Sequence, residues 1–130
     1  MTREETEGEP RSGIANFKTR RHPRFLINLP IKYWRRDLSD SHISRTVDVS
    51  EGGLMVSLPE PIEIGRDLRL NLFYAHSPSE LSTIEALVQV VWRDVQVNKD
   101  GYYKTGVKFV NISAGDLDRW KHFLNTFQIS

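Results

Sequence analysis

Two short stretches hold the side chains with the most chemistry to offer. Lys18-Thr-Arg-Arg-His-Pro-Arg24 is a basic arm stiffened by proline, and Asp48-Val-Ser-Glu-Gly-Gly53 is a polar turn between apolar runs. Pro23 biases His22 toward extended backbone, so Arg20 and Arg24 fall on one side of the arm, roughly 13 Å apart. Two guanidinium groups at that separation can grip two separate groups of one ligand. In the second stretch Asp48 and Ser50 alternate to the same side, and the paired glycines allow positive φ and a close approach of backbone to a ligand. Read together, the two stretches form one anion-binding site. Read apart, Lys18, Arg20, Arg21 and Arg24 are solubilising charges, and Asp48, Ser50 and Gly53 an ordinary hairpin turn.

Other chemistries find less support. Cysteine is absent, which removes disulfides, thiolate catalysis and cysteine-based metal sites. His22, His42, His76 and His122 are scattered without metal-ligand spacing, and the chain has no nucleophile elbow, phosphate-binding Walker loop or Gly-x-Gly-x-x-Gly. The reading is of a protein that is not an enzyme and uses no metal or cofactor. A formal net charge of +1 does not call for nucleic acid or an anionic membrane. No apolar run approaches the roughly 20 residues of a spanning helix, and the acidic opening is the reverse of a signal peptide, so a cytoplasmic protein is expected.

The elements that must position the two stretches follow from periodicity. Residues 1–16, rich in Glu and poor in apolar side chains, read as a disordered tail, and residues 17–24 as the arm. From Phe25 a period of two sets Phe25, Ile27, Leu29, Ile31 and Tyr33 on one face, a first strand in which Pro30 marks an edge or a bulge. Ile43, Arg45, Val47 and Val49 predict a second strand, with Val47 and Val49 inward and Asp48 and Ser50 outward. Leu54, Val56 and Leu58 predict a third, and Leu68, Leu70, Leu72 and Tyr74 a fourth, followed by a loop over residues 75–80. Ile84 to Trp92 reads as the fifth, with Ala86, Val88, Val90 and Trp92 on one face. Asn98-Lys-Asp-Gly101 is a hairpin signal leading to a sixth strand through Tyr103, Thr105, Val107 and Phe109. Ser113 is a natural cap for a helix over 113–127, whose Leu117, Trp120, Phe123, Leu124 and Phe127 make one apolar stripe. The sum is a mainly β fold, a six-stranded antiparallel β-barrel spanning 25–110 with a C-terminal α-helix over its end or face, in one domain from 17 to 130.

Arg20-x-x-x-Arg24 followed by Asp48-x-Ser50-x-x-Gly53 resembles the paired signature of the PilZ domain, a bacterial receptor for the second messenger cyclic di-GMP. The likeness runs from about Phe17 to Phe127 and includes Pro61-Ile-Glu-Ile-Gly65 and Gly106-Val-Lys-Phe109. It implies a split-barrel type fold and a sensor without catalysis. It also implies a site in which Arg20 and Arg24 take phosphate or the guanine edge, Asp48 accepts from guanine N–H groups, Ser50 bonds phosphate or base, and Gly53 keeps the turn compact. Arg21, on the other side of the arm, is a secondary candidate. Trp92 is read as core, with base stacking open to it if its strand ends near the site. The resemblance implies that the arm closes over the barrel on binding and passes the signal to an effector protein. A PilZ-fold adaptor that ignores the nucleotide, and a small-barrel nucleic-acid-binding module, are the rival readings.

Overall fold

A computed structural model describes residues 23–35, 40–94 and 96–128. The proposed tail and most of the arm, with Arg20 and Arg21, lie outside the described residues. Six strands follow in order, β1 (Pro30–Arg35), β2 (Ser41–Val49), β3 (Gly53–Leu58), β4 (Asp67–Ser77), β5 (Glu80–Arg93) and β6 (Tyr103–Ile112), and then the helix α1 (Ala114–Gln128). The strands are antiparallel throughout and close into a barrel in the order β1-β2-β3-β6-β5-β4. Closure gives every strand two paired neighbours.

Alternation builds the interior. Leu54, Val56 and Leu58 of β3, Leu68, Leu70, Leu72 and Tyr74 of β4, and Ile84, Val88 and Val90 of β5 are buried in one core with Ile31 and Tyr33 of β1. At one end Tyr33 Oη donates to Glu60 at 3.1 Å and Arg35 Nη2 donates to the other Glu60 oxygen at 2.6 Å. Burial, reinforced by the Glu60 carboxylate, raises the Tyr33 phenol well above its usual range. The other end is covered by α1. Ser113 caps it, with Oγ accepting from Asp116 N at 3.1 Å, and Trp120 and Leu124 of its stripe are buried in the core. Burial works against the charged Asp116 carboxylate, but hydrogen bonds from Arg119 and from Glu85 N–H outweigh it and hold its pKa below the ordinary value. Among the described residues no helix is long and apolar enough to cross a membrane.

Several strand expectations need correction. The first strand begins at Pro30, not Phe25. Ile27 N donates back to Phe25 O at 2.9 Å, a local turn that interrupts the ladder, and only the isolated bridge Phe25–Val49 remains of the earlier pairing. The loop expected over 75–80 is instead strand at both ends, with β4 continuing to Ser77 and β5 beginning at Glu80. Near Gly101 the turn is wider than a two-residue hairpin. Gly101 N donates to Asn98 O at 2.9 Å and Asn98 N to Tyr102 O at 2.8 Å, with Gly101 at φ 86°.

The largest correction concerns β2, in which Val47 and Val49 were expected to point inward: Val49 is buried, but Val47 is not. A β-bulge between Thr46 and Asp48 shifts the register, so Thr46 and Val49 point in while Ile43 is 75% exposed. Thr46 belongs inside because its hydroxyl is fully used. Its Oγ1 accepts from Leu29 N at 2.8 Å and donates to Ile27 O at 2.6 Å, tying the segment after the arm to the bulge. Thr46→Val keeps the shape and removes both bonds, leaving a buried donor and acceptor unmatched. The expected loss is about 2 kcal/mol by urea unfolding; a loss under about 0.5 kcal/mol would mean that water replaces the hydroxyl.

Candidate functional site

Arg24 and Asp48 meet directly, 24 residues apart in sequence. Arg24 Nε donates to Asp48 Oδ1 at 3.2 Å and Nη2 to Oδ2 at 2.7 Å, a two-pronged ion pair whose side chains are 25% and 14% exposed. Backbone geometry enforces the meeting. Phe25 N donates to Val49 O and Val49 N to Phe25 O, each at 2.9 Å, an antiparallel bridge that sets Arg24 opposite Ser50 and leaves Asp48 on the same face, diagonal to it and within reach of a long side chain. The bulge in β2 then turns Asp48 to the outer surface while Val49 fills the core.

Beside this pair the β2–β3 turn is closed by Ser50 N donating to Gly53 O at 2.9 Å, and Ser50 Oγ donates to the same oxygen at 3.2 Å. The hydroxyl keeps lone pairs for a ligand donor. The positive φ expected of the paired glycines is not found here. Among the described residues the positive-φ glycines are Gly65 and Gly101, so neither Gly52 nor Gly53 supplies a left-handed turn. What excludes a side chain at Gly53 is the β6 backbone, since a Cβ there would stand 2.2 Å from Val107 O.

Cross-strand register extends the site beyond the signature. Asp48 pairs with Met55, Met55 with Gly106, and Gly106 with Trp92. This row crosses four neighbouring strands on the outer surface, so Asp48 and Trp92 stand about 14 Å apart at three strand spacings. Trp92 was read as core, and that is overturned. A register shift between Val90 and Trp92 takes it out of the inward set, and its ring lies half-buried beside Gly106, within 3.9 Å of the position a Cβ there would take. Gly106 is itself buried, because Met55 Cε, 3.8 Å from the position a Cβ would take, and the Trp92 side chain close over it. Lys108, exposed and opposite Gly53, adds a positive charge at the margin. Met55, Gly106 and Lys108 were not singled out as site residues from sequence, although two of the three lie in the Gly106-Val-Lys-Phe109 segment.

Arg24, Asp48, Ser50 and Gly53 are therefore brought together, whereas Arg20 and Arg21 lie outside the described residues. A groove of about 620 Å³ lined by Arg35, Ile62, Arg66 and Leu68 opens at the opposite end of the barrel and shares no residue with this site. Among the described residues no group of His, Asp or Glu could hold a metal ion.

Comparison with known proteins bears on the whole chain. No curated protein sequence matches it. Among solved structures, the Bacillus subtilis inhibitor of motility MotI/DgrA superposes with a TM-score of 0.72 at 19% identity, covering 92% of this chain and 56% of that one. The PilZ domain of Escherichia coli YcgR with c-di-GMP gives 0.63 at 13% identity, over 85% of this chain and 92% of that one. The K. pneumonia MrkH–c-di-GMP complex gives 0.64 at 18% identity, over 87% and 53%. The chain thus spans about half the length of MotI/DgrA and of MrkH, and at these identities the likeness is one of fold. A family model, the PilZ domain, matches residues 18–125. Since that match takes in the arm, the turn, the whole barrel and most of the helix, the chain belongs to the PilZ domain family.

Proposed function

We propose that this chain is a receptor for cyclic di-GMP, binding the nucleotide on the outer barrel surface and signalling to a partner protein without catalysing a reaction. The observation that carries the reading is the Arg24–Asp48 pair beside Ser50, facing Trp92 across Gly106. Asp48 occupies one edge of the Arg24 guanidinium, Nε and Nη2, which leaves the Nη1 side for the O6/N7 edge of a guanine. Ser50 Oγ, its proton directed at Gly53 O, offers lone pairs to a guanine N–H. A half-buried indole on the outer barrel surface suits stacking on a base. Arg20 and Arg21 are assigned to the phosphates, with the arm over 17–24 closing on the nucleotide as it docks. The YcgR and MrkH structures, both with c-di-GMP, support the choice of nucleotide.

The test is isothermal titration of cyclic di-GMP into the purified chain, with GTP as control. Saturable heat with cyclic di-GMP and none with GTP is expected. A folded chain that takes up no cyclic di-GMP would overturn the reading in favour of a protein-interaction domain.

A further inference from the structure

We infer that Trp120, on α1 and 70 residues from the turn, is a positioning residue for the nucleotide-binding loop. Its indole Nε1–H donates to Ser50 O at 2.9 Å, so the backbone of a signature residue is held by the helix. This rests on the proposed cyclic di-GMP reading and extends it to a residue that does not touch the ligand.

The bond is directed. Trp120 is fully buried, stacked on Phe123 with centroids 5.6 Å apart, and met edge-on by Tyr74 and Phe109 at 6.4 Å. With its ring packed on these sides the indole N–H has one direction left, and that direction ends on Ser50 O. Filling the volume needs no nitrogen, and burying an N–H is costly unless it is paired. The pairing of that one N–H with the one turn that carries Ser50 is what marks a positioning role. Helix α1 also reaches the arm side, because the Phe127 ring lies 6.0 Å from Phe25, the residue next to Arg24 and bridged to Val49. One helix thus braces both halves of the site, the turn through Trp120 and the end of the arm through Phe127.

Two readouts test the assignment. In a wild-type chain labelled with nitrogen-15, the Trp120 indole cross-peak is expected to shift on titration with cyclic di-GMP and to saturate with binding, because a ligand on Ser50 changes the carbonyl that the indole bonds. The Trp34 indole, on the outer face of β1, is expected to stay still. Trp120→Phe keeps an aromatic ring and removes the donor, and is expected to weaken cyclic di-GMP binding about three- to tenfold, the span of one neutral hydrogen bond. A stationary Trp120 cross-peak in a wild-type chain that binds, or a folded W120F chain that binds within about twofold of wild type, overturns the assignment and leaves the receptor reading intact. Failure of the wild-type chain to bind overturns both, and shows in the first titration before any variant is made.

Discussion

Gly53→Ala is expected to lower stability by about 3 kcal/mol, enough to move the melting temperature by roughly 10 °C in a chain of this size. The reason is distance. An added Cβ would lie 2.2 Å from Val107 O, 3.0 Å from Lys108 Cα and 3.2 Å from Val107 C, and all three are β6 backbone atoms that cannot rotate away. Relief requires β3 to withdraw from β6 at the start of their shared ladder, where Gly53 pairs with Lys108. The entropy gained by removing a glycine from the unfolded chain, about 0.4–1 kcal/mol, is too small to offset this. Gly106→Ala is the matched control. A Cβ at Gly106 meets Trp92 Cβ at 3.5 Å and Met55 Cε at 3.8 Å, ordinary contacts, so its cost is expected to stay within about 1 kcal/mol. Thermal and urea unfolding of the two variants beside wild type decides it. Equal costs for both would mean that β3 and β6 do not approach as closely as described.

The two glycines also show where sequence reasoning reached and where it stopped. Gly53 was singled out for positive φ, close backbone approach and a compact turn; its φ is not positive, and a strand packed against it from more than 50 residues away adds a constraint that no local rule reports. The same division holds across the fold. Where strands run without interruption, as in β3 and in β4 as far as Tyr74, a period of two named the inward residues, because each second side chain must leave water. Where a bulge intervenes, the period changes phase. At Val47 the shift brings Thr46 inward, and at Val91 it turns Trp92 outward. Neither bulge has a sequence mark, since Val47 and Val91 fit an unbroken strand as well as a bulged one.

For the site, the two stretches were read together, and of the arm's basic residues the described part shows Arg24 meeting Asp48, each beside an apolar residue that must pack. The direct ion pair was not legible. It depends on the Phe25–Val49 bridge, and an extended first strand would have predicted a ladder there. Trp120 was correctly placed in the helix stripe, yet its bond to Ser50 required the helix to cover the signature end of the barrel and not the other, a choice that the stripe alone leaves open.

Arg24→Ala is expected to weaken cyclic di-GMP binding roughly a hundredfold, about 2.7 kcal/mol, and to cost the free protein only about 1 kcal/mol of stability. The disparity follows from what Arg24 does in each state. Without ligand its partner is Asp48, in a pair whose side chains are 25% and 14% exposed, so water screens the attraction and can solvate a released carboxylate. In the proposed complex the same guanidinium would be bonded on two edges, to Asp48 and to the nucleotide, with less water left to screen either contact. Arg24→Lys should lose nearly as much affinity, because an ammonium keeps the charge but cannot hold Asp48 with Nε and Nη2 while presenting a second edge. Asp48→Ala is expected to fall between wild type and Arg24→Ala, since an unoriented guanidinium still carries its charge. Combining R24A with D48A should then add little to R24A alone, as two residues that act through one arrangement are not additive. Titration of the set with cyclic di-GMP, beside urea unfolding of each variant without it, checks both halves. If the loss in stability matches the loss in affinity, Arg24 and Asp48 are a structural clasp, and the phosphates and bases must be held elsewhere. A loss confined to binding makes the pair the part of the surface on which the nucleotide is read.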